Sequence, residues 1–120
     1  MLRIIHGLPD NVVGVSAEGT VTRHDYDNVL LPFIEGKLRT HDKLRMLYVL
    51  GSGLDRFTSG AFWADARGAI RHYTTFERVA VVTDESWIVN ATRFFSRFMP
   101  CPMKVFSNDR MSQAKEWISE

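Results

Sequence analysis

β-rich runs alternating with segments of helical period predict an α/β fold: a mixed, mostly parallel five-stranded sheet with flanking helices in the order ββαβαβαβα. Three observations support this. The stretch Leu47-Tyr-Val-Leu-Gly-Ser-Gly-Leu-Asp-Arg-Phe-Thr-Ser-Gly-Ala-Phe-Trp63 takes an apolar strand through glycines into the start of an amphipathic helix, the junction at which open α/β sheets bind ligands. Clusters of Pro, Gly, Asn and Asp fall at intervals that suit short connections between elements. At 120 residues and 45% apolar content the chain can bury one sizeable core and is too short for two, so residues 1–120 read as one domain.

Leu2 to His6 and Val12 to Glu18 read as two strands joined by Gly-Leu-Pro-Asp-Asn, a hairpin-type connection. Thr22-Arg-His-Asp25 resembles a capping box, with Asp in place of the usual Glu. It opens a helix whose apolar face is Tyr26, Val29, Leu30, Phe33, Ile34 and Leu38. Pro32 removes one ladder donor from that helix and is expected to kink it. Leu44 to Leu50 lacks clean alternation, the mark of a strand covered on both faces, and belongs mid-sheet.

From Ser59 or Gly60 to about Tyr73, residues Phe62, Ala66, Ala69, Ile70 and Tyr73 repeat at helical spacing. Arg78 to Thr83 is the next strand. Asp84 is expected to cap a helix running to about Met99, with Trp87, Ile88, Ala91, Phe94, Phe95 and Phe98 on its apolar face. Met103 to Phe106 forms a last short strand, and the closing helix turns Met111, Ala114, Trp117 and Ile118 inward.

Fifteen basic side chains balance fourteen acidic ones, and the arginines are scattered, so nucleic acid is not expected as a partner. The single cysteine, Cys101, sits between two prolines in no redox or zinc spacing, and a reducing cytoplasm fits that usage. No apolar run approaches the roughly 20 residues of a spanning helix, and the N-terminus turns at Gly7 to Asp10 before a secretory segment forms. The expected protein is soluble, with attachment at a membrane surface left open.

Gly51-Ser-Gly53 follows a strand, as in dinucleotide-binding turns, but Arg56 stands at the third glycine and Asp84 lies too far along for a ribose-binding acid. His24-Asp25 and His41-Asp42 lack the further ligands that metal-dependent phosphohydrolysis needs, and a helix cap and a polar loop account for them. No nucleophile elbow or triad context is present, and neither a cofactor nor a metal is expected. Thr58-Ser59 at a helix start would favour phosphate through unpaired N–H groups and the helix dipole, although a plain N-cap is the commoner use of such residues.

Aromatic loading is the remaining feature. Phe57, Phe62 and Trp63 attend one helix and Phe94, Phe95 and Phe98 the next; adjacent Phe94 and Phe95 cannot both point straight at a sheet. A well-packed core is the plain reading, and a pocket or exposed patch the functional one. Arg67 with Arg71, and Arg93 with Arg97, are spaced to share helical faces, so basic ridges flanking an apolar surface would suit an amphiphile or an anionic membrane. A homodimer interface is the other use of such a patch.

With the element order and the Thr-Ser-Gly helix start in view, the chain resembles the STAS domain group, and within it the SpoIIAA-like family of small single-domain bacterial proteins. The resemblance rests on Asn11-Val-Val-Gly-Val15, Leu47-Tyr-Val-Leu50, Ala61-Phe-Trp-Ala-Asp65, Phe76-Glu-Arg-Val-Ala-Val-Val-Thr-Asp84 with Trp87, and Ala114-Lys-Glu-Trp117. It implies a five-stranded mixed sheet with helices around it and no established enzymatic activity. Two functional expectations come with it. As in anti-sigma-factor antagonists, Ser59 before Gly60 matches a serine whose phosphorylation switches a protein partner, although Phe57-Thr-Ser-Gly60 stands where Asp-Ser-Ser-Gly is usual. Similarity to CRAL-TRIO lipid-exchange domains implies instead a carrier or sensor of nonpolar molecules, with reversible membrane contact. Phe57, Phe62, Trp63, Phe94, Phe95 and Phe98 would then line the ligand site, and the four arginines would meet anionic headgroups.

Overall fold

In the computed structural model, which describes residues 2–19, 23–50, 76–97 and 101–120, five strands lie side by side in chain order. They are β1 (Leu2–Ile4), β2 (Val12–Ala17), β3 (Leu44–Leu50), β4 (Phe76–Val82) and β5 (Met103–Phe106). β1 runs antiparallel to β2, with Leu2 opposite Ala17 and Ile4 opposite Val15. The other three pairings are parallel. The mixed, mostly parallel five-stranded sheet read from the sequence is therefore the one formed, and β3 holds the expected central place between β2 and β4.

Side chains alternate between the two sheet faces as the pleat requires. Val13, Val15 and Ala17, then Leu44, Tyr48 and Leu50, then Val79 and Val81 enter one apolar cluster. Val12, Leu47, Val49, Ala80 and Val82 enter another on the opposite face. Among the described residues, the first face receives two helices. α1 joins a short α-turn (Arg23–Asp25), a π segment (Tyr26–Leu30) and an α segment (Leu31–Leu38), and α2 spans Ser86–Ser96. Leu30 and Ile34 of α1 and Ile88 of α2 are buried there, with Val29, Phe33, Leu38 and Trp87 packed against them. The second face receives α3 (Met111–Ser119), whose Ala114 and Ile118 are fully buried and whose Met111 and Trp117 pack alongside.

Pro32, expected to kink this helix, sits where the helix changes type. It falls in the first turn of the Leu31–Leu38 segment, where a missing N–H costs little. The wider turns of the π segment lie immediately before it, so the ladder changes type at the position where Pro32 cannot donate. The expected capping box depends on Thr22, which lies outside the described residues.

The connection from β1 to β2 does more than reverse the chain. Ile5 and Leu8 pack into the second cluster, and the Ile5 N–H donates to the Gly14 carbonyl at 2.9 Å. Gly7 turns the segment with a φ of 86°, a left-handed conformation that glycine adopts at no steric cost. Gly14 supplies the room: a Cβ there would collide with Leu8 Cδ1 and lie 3.0 Å from Ile5 Cβ. Lys37 near the end of α1 donates to the Asp10 carbonyl at 2.6 Å, its ammonium 5.0 Å above the Phe33 ring.

The end of α3 is fastened by two strand arginines. Arg45 Nη1 donates to the Ile118 carbonyl at 3.1 Å, and Arg78 Nη1 donates to the Trp117 carbonyl at 2.9 Å. Both satisfy last-turn carbonyls and set positive charge against the negative end of the helix dipole. A register shift beside Leu44 and Arg45 leaves Glu77 between the β4 partners of those residues. Glu77 Oε1 accepts from Arg45 Nε at 2.9 Å, so the irregularity places the acid that aims the arginine. Trp117 lies with the Arg78 guanidinium 5.3 Å and the Lys104 ammonium 5.0 Å from its ring centre.

Two stability predictions follow from these contacts. Gly14→Val should lower unfolding free energy by about 1–3 kcal/mol, because Ile5 and Leu8 must be displaced from the second face; urea denaturation followed by tryptophan fluorescence measures it. Arg78→Met, which keeps an apolar stem beside Trp117 but removes the donor, should cost about 1 kcal/mol, with the earliest loss of amide protection in α3 on hydrogen exchange.

Candidate functional site

The carboxyl ends of β4 and β5 are tied together by polar groups. The Thr83 N–H donates to the Phe106 carbonyl at 2.9 Å, and Asp84 Oδ1 accepts the Asn108 N–H at 3.0 Å. Asp84 was expected to cap the following helix, but its observed bond joins β4 to the 3-10 turn Asn108–Arg110 ahead of α3. The start of α2 is organised instead by Thr83 Oγ1, which accepts the Glu85 N–H at 3.1 Å, and by the Glu85 carbonyl, which accepts from Ile88 and Val89 at 3.1 Å each. The Ser107 hydroxyl bonds Asp109 Oδ1 in the same region. These groups use their hydrogen-bonding capacity on one another, as a structural corner does.

α2 has two contrasting sides. Ile88 is fully buried and Thr92 is 1% exposed, four residues apart and hence on one stripe of the helix. Phe94 is 56% exposed, the one large apolar side chain among the described residues left so open. The sequence reading placed Phe94 on the inward apolar face with Phe95. The structure corrects this: Phe94 follows the buried Thr92 by two positions, about 200° around the helix, and so turns outward. Arg93 and Arg97 are exposed beside it. The Ser96 hydroxyl donates to the Arg93 carbonyl at 2.7 Å, and the Arg97 N–H donates to the Phe94 carbonyl at 3.4 Å, closing the last turn.

Of the residues assigned to a site from sequence, the structure thus brings Arg93, Phe94 and Arg97 onto one outer helix side. Phe57, Thr58, Ser59, Phe62, Trp63, Arg67, Arg71 and Phe98 lie outside the described residues, as does the Gly51-Ser-Gly53 turn; for Phe95 only the backbone is described. The inward hydroxyl of Thr92 went unremarked in the sequence. Its signal was there: a threonine four residues after Ile88 interrupts an otherwise apolar stripe.

His24 sits in the first turn of α1, its Nδ1 3.1 Å from the Asn28 amide nitrogen, which also donates to the His24 carbonyl at 2.8 Å. His41 and Asp42 occupy the connection from α1 to β3. Among the described residues no three His, Cys, Asp or Glu side chains converge as a metal site would require. Cys101 packs against the first cluster, and burial pushes its thiol pKa up, which leaves little nucleophilic thiolate at neutral pH. No helix among the described residues is long and apolar enough to cross a membrane.

One antiparallel strand leading a parallel four, crossover helices on one face and a closing helix on the other, define a STAS-type α/β domain. The sequence model of the SpoIIAA-like family matches residues 12–119. The chain belongs to that family, whose fold is generally non-catalytic. Among solved structures, it is similar to an uncharacterized protein with a SpoIIAA-like fold from Shewanella loihica PV-4. The two share 25% identity over 98% of this chain and 92% of the other, with a TM-score of 0.69. No curated protein matches the sequence.

The contrast between the sides of α2 has a direct test. Phe94→Ser, at a side chain 56% exposed, should lower unfolding free energy by about 1 kcal/mol or less. Ile88→Ala should cost about 2–5 kcal/mol through the cavity it leaves; thermal and urea denaturation of both variants compare the two.

Proposed function

We propose that this domain binds a nonpolar or amphipathic small molecule, as carrier or sensor, without catalysing a reaction on it. We further propose that it meets anionic membrane surfaces reversibly through the outer side of α2. The observation that carries this reading is Phe94, 56% exposed on α2 and accompanied there by exposed Arg93 and Arg97. Burying the exposed part of that ring would return a share of the roughly 1.5–3 kcal/mol that full burial of such a side chain contributes. A bilayer interface offers that burial, and arginines near an anionic surface add about 1 kcal/mol each. Interfacial helices combine these two features.

The ligand site assigned to Phe57, Phe62, Trp63, Phe95 and Phe98 follows from aromatic loading of two helices and from the resemblance to lipid-exchange domains. Arg67 and Arg71 extend the same headgroup-binding role. The extent of the family match and its generally non-catalytic fold support a binding function.

Vesicle sedimentation tests the membrane half. The protein should pellet with phosphatidylglycerol vesicles and not with phosphatidylcholine vesicles, and the binding should weaken as salt rises. Phe94→Ser should reduce the bound fraction severalfold while the protein stays folded, and Arg93→Gln with Arg97→Gln should remove the preference for anionic lipid. Equal binding by all variants would refute the proposed surface. A partner-switching module of the anti-sigma-antagonist type would show a different pattern: Ser59→Asp would alter capture of a protein partner and leave vesicle binding as it was. Native mass spectrometry of protein purified without detergent, followed by organic extraction, tests the ligand half; a lipid-like species at substantial stoichiometry is the expected result.

A further inference from the structure

A helix favours acids in its first turn and cations in its last, because its backbone dipoles align. In this fold that local preference adds up. α1 and α2 each leave the carboxyl end of one strand and return the chain to the amino end of the next, parallel one. Both therefore run against the strands on the same face of the sheet, and their like ends lie at the same end of it. Where the strands finish stand Glu18, Asp25, Asp27, Asp84, Glu85 and Asp109, offset only in part by Arg23 and Arg110. At the opposite end, where β3 and β5 begin, stand Lys37, Arg39, Lys43, Arg93 and Arg97, offset only in part by Asp10, Glu35 and Asp42. The second face does not reverse this polarity. α3 brings its C-terminus to the basic end, but Glu77 and Glu120 there pair with Arg45 and Arg78, and Glu116 adjoins Lys115.

The two ends are far enough apart to act separately. The α1 helix, residues 23–38, spans roughly 20 Å, more than twice the roughly 8 Å over which charge is screened at physiological salt. A surface touching the basic end therefore feels its cations and little of the acids behind them. Phe94, 56% exposed, stands near the last turn of α2 at that same end, and residues 86–97 include no acid. We propose that the domain meets an anionic bilayer end-on. The end of the first face where the strands begin turns to the lipid, Arg39 and Lys43 of the connection from α1 to β3 reach its headgroups alongside Arg93 and Arg97, and the acidic end faces away. This rests on the membrane reading above and adds a second contact element and the orientation. Among the described residues the end of α1 carries no exposed large apolar side chain, so it adds charge to the contact made at Phe94 and does not replace it.

The test is sedimentation with mixed phosphatidylglycerol and phosphatidylcholine vesicles at about 0.15 M salt. Arg39→Gln with Lys43→Gln should weaken binding about fivefold for each charge removed. Asp27→Asn with Glu85→Gln, at the end turned away, should change it less than about twofold. Circular dichroism establishes that both double variants are folded. If Arg39→Gln with Lys43→Gln binds as tightly as wild type, the end-on orientation is overturned and the contact at Phe94 stands. If the acidic-end variant tightens binding as much as the basic-end variant weakens it, net charge governs the encounter and the inference falls in the same way. Wild-type protein that ignores these vesicles overturns the membrane reading and this inference with it.

Discussion

When parallel strands are added one beside the next in a single direction, right-handed crossovers deliver every connecting helix to the same side of the sheet. That constraint governs this molecule. Strands β2 to β5 step in chain order, and α1 and α2 both pack on the first face. The opposite face is just as apolar, with Val12, Leu47, Val49, Ala80 and Val82 all buried, and no crossover can cover it. Two segments outside the crossovers cover it. α3 follows the last strand and is bound by no crossover rule, and the segment from Ile5 to Asn11 folds over the sheet before the first parallel pairing.

Several otherwise unrelated details serve that second face. Gly14 lacks a side chain because Ile5 and Leu8 occupy the space above it. Arg45 and Arg78 hold the C-terminal carbonyls of α3, which fixes that helix against the second face. Glu77 beside the register shift orients Arg45 in turn. Lys104 and Phe106 of the edge strand β5 complete the surroundings of Trp117. Short edge strands bearing a lysine also discourage pairing with other chains, and β5 has four residues with Lys104 among them.

With the second face closed by structural contacts, the functional proposals concentrate on the first. There α2 combines a buried stripe carrying one unpaired hydroxyl with an outer side carrying an exposed aromatic ring and two arginines. The two sides suit different tasks. A membrane contact needs the outer side, and a ligand held within the domain needs the inner one. One helix linking them would let delivery or collection of an amphiphile occur at the surface from which it comes.

The sequence by itself determined the order of the described elements, because helical and strand periods are written in the spacing of apolar residues. Leu44 to Leu50 and Met103 to Phe106 appear with the same bounds, and Ala114 and Ile118 face inward as their spacing requires. The resemblance to SpoIIAA-like proteins was legible for the same reason, since its motifs are these strands and helix faces. Only tertiary structure decided the rest. Whether Asp84 caps its own helix or holds the backbone of Asn108 depends on how near β5 comes to β4, a distance no local pattern encodes. Phe94 lies within the apolar periodicity of its helix, so the sequence could not say that it would leave the core; packing of α2 against the sheet turned it outward. Thr92 is polar by composition yet buried by position, and its unsatisfied hydroxyl exists only as a relation among side chains brought together from distant parts of the chain.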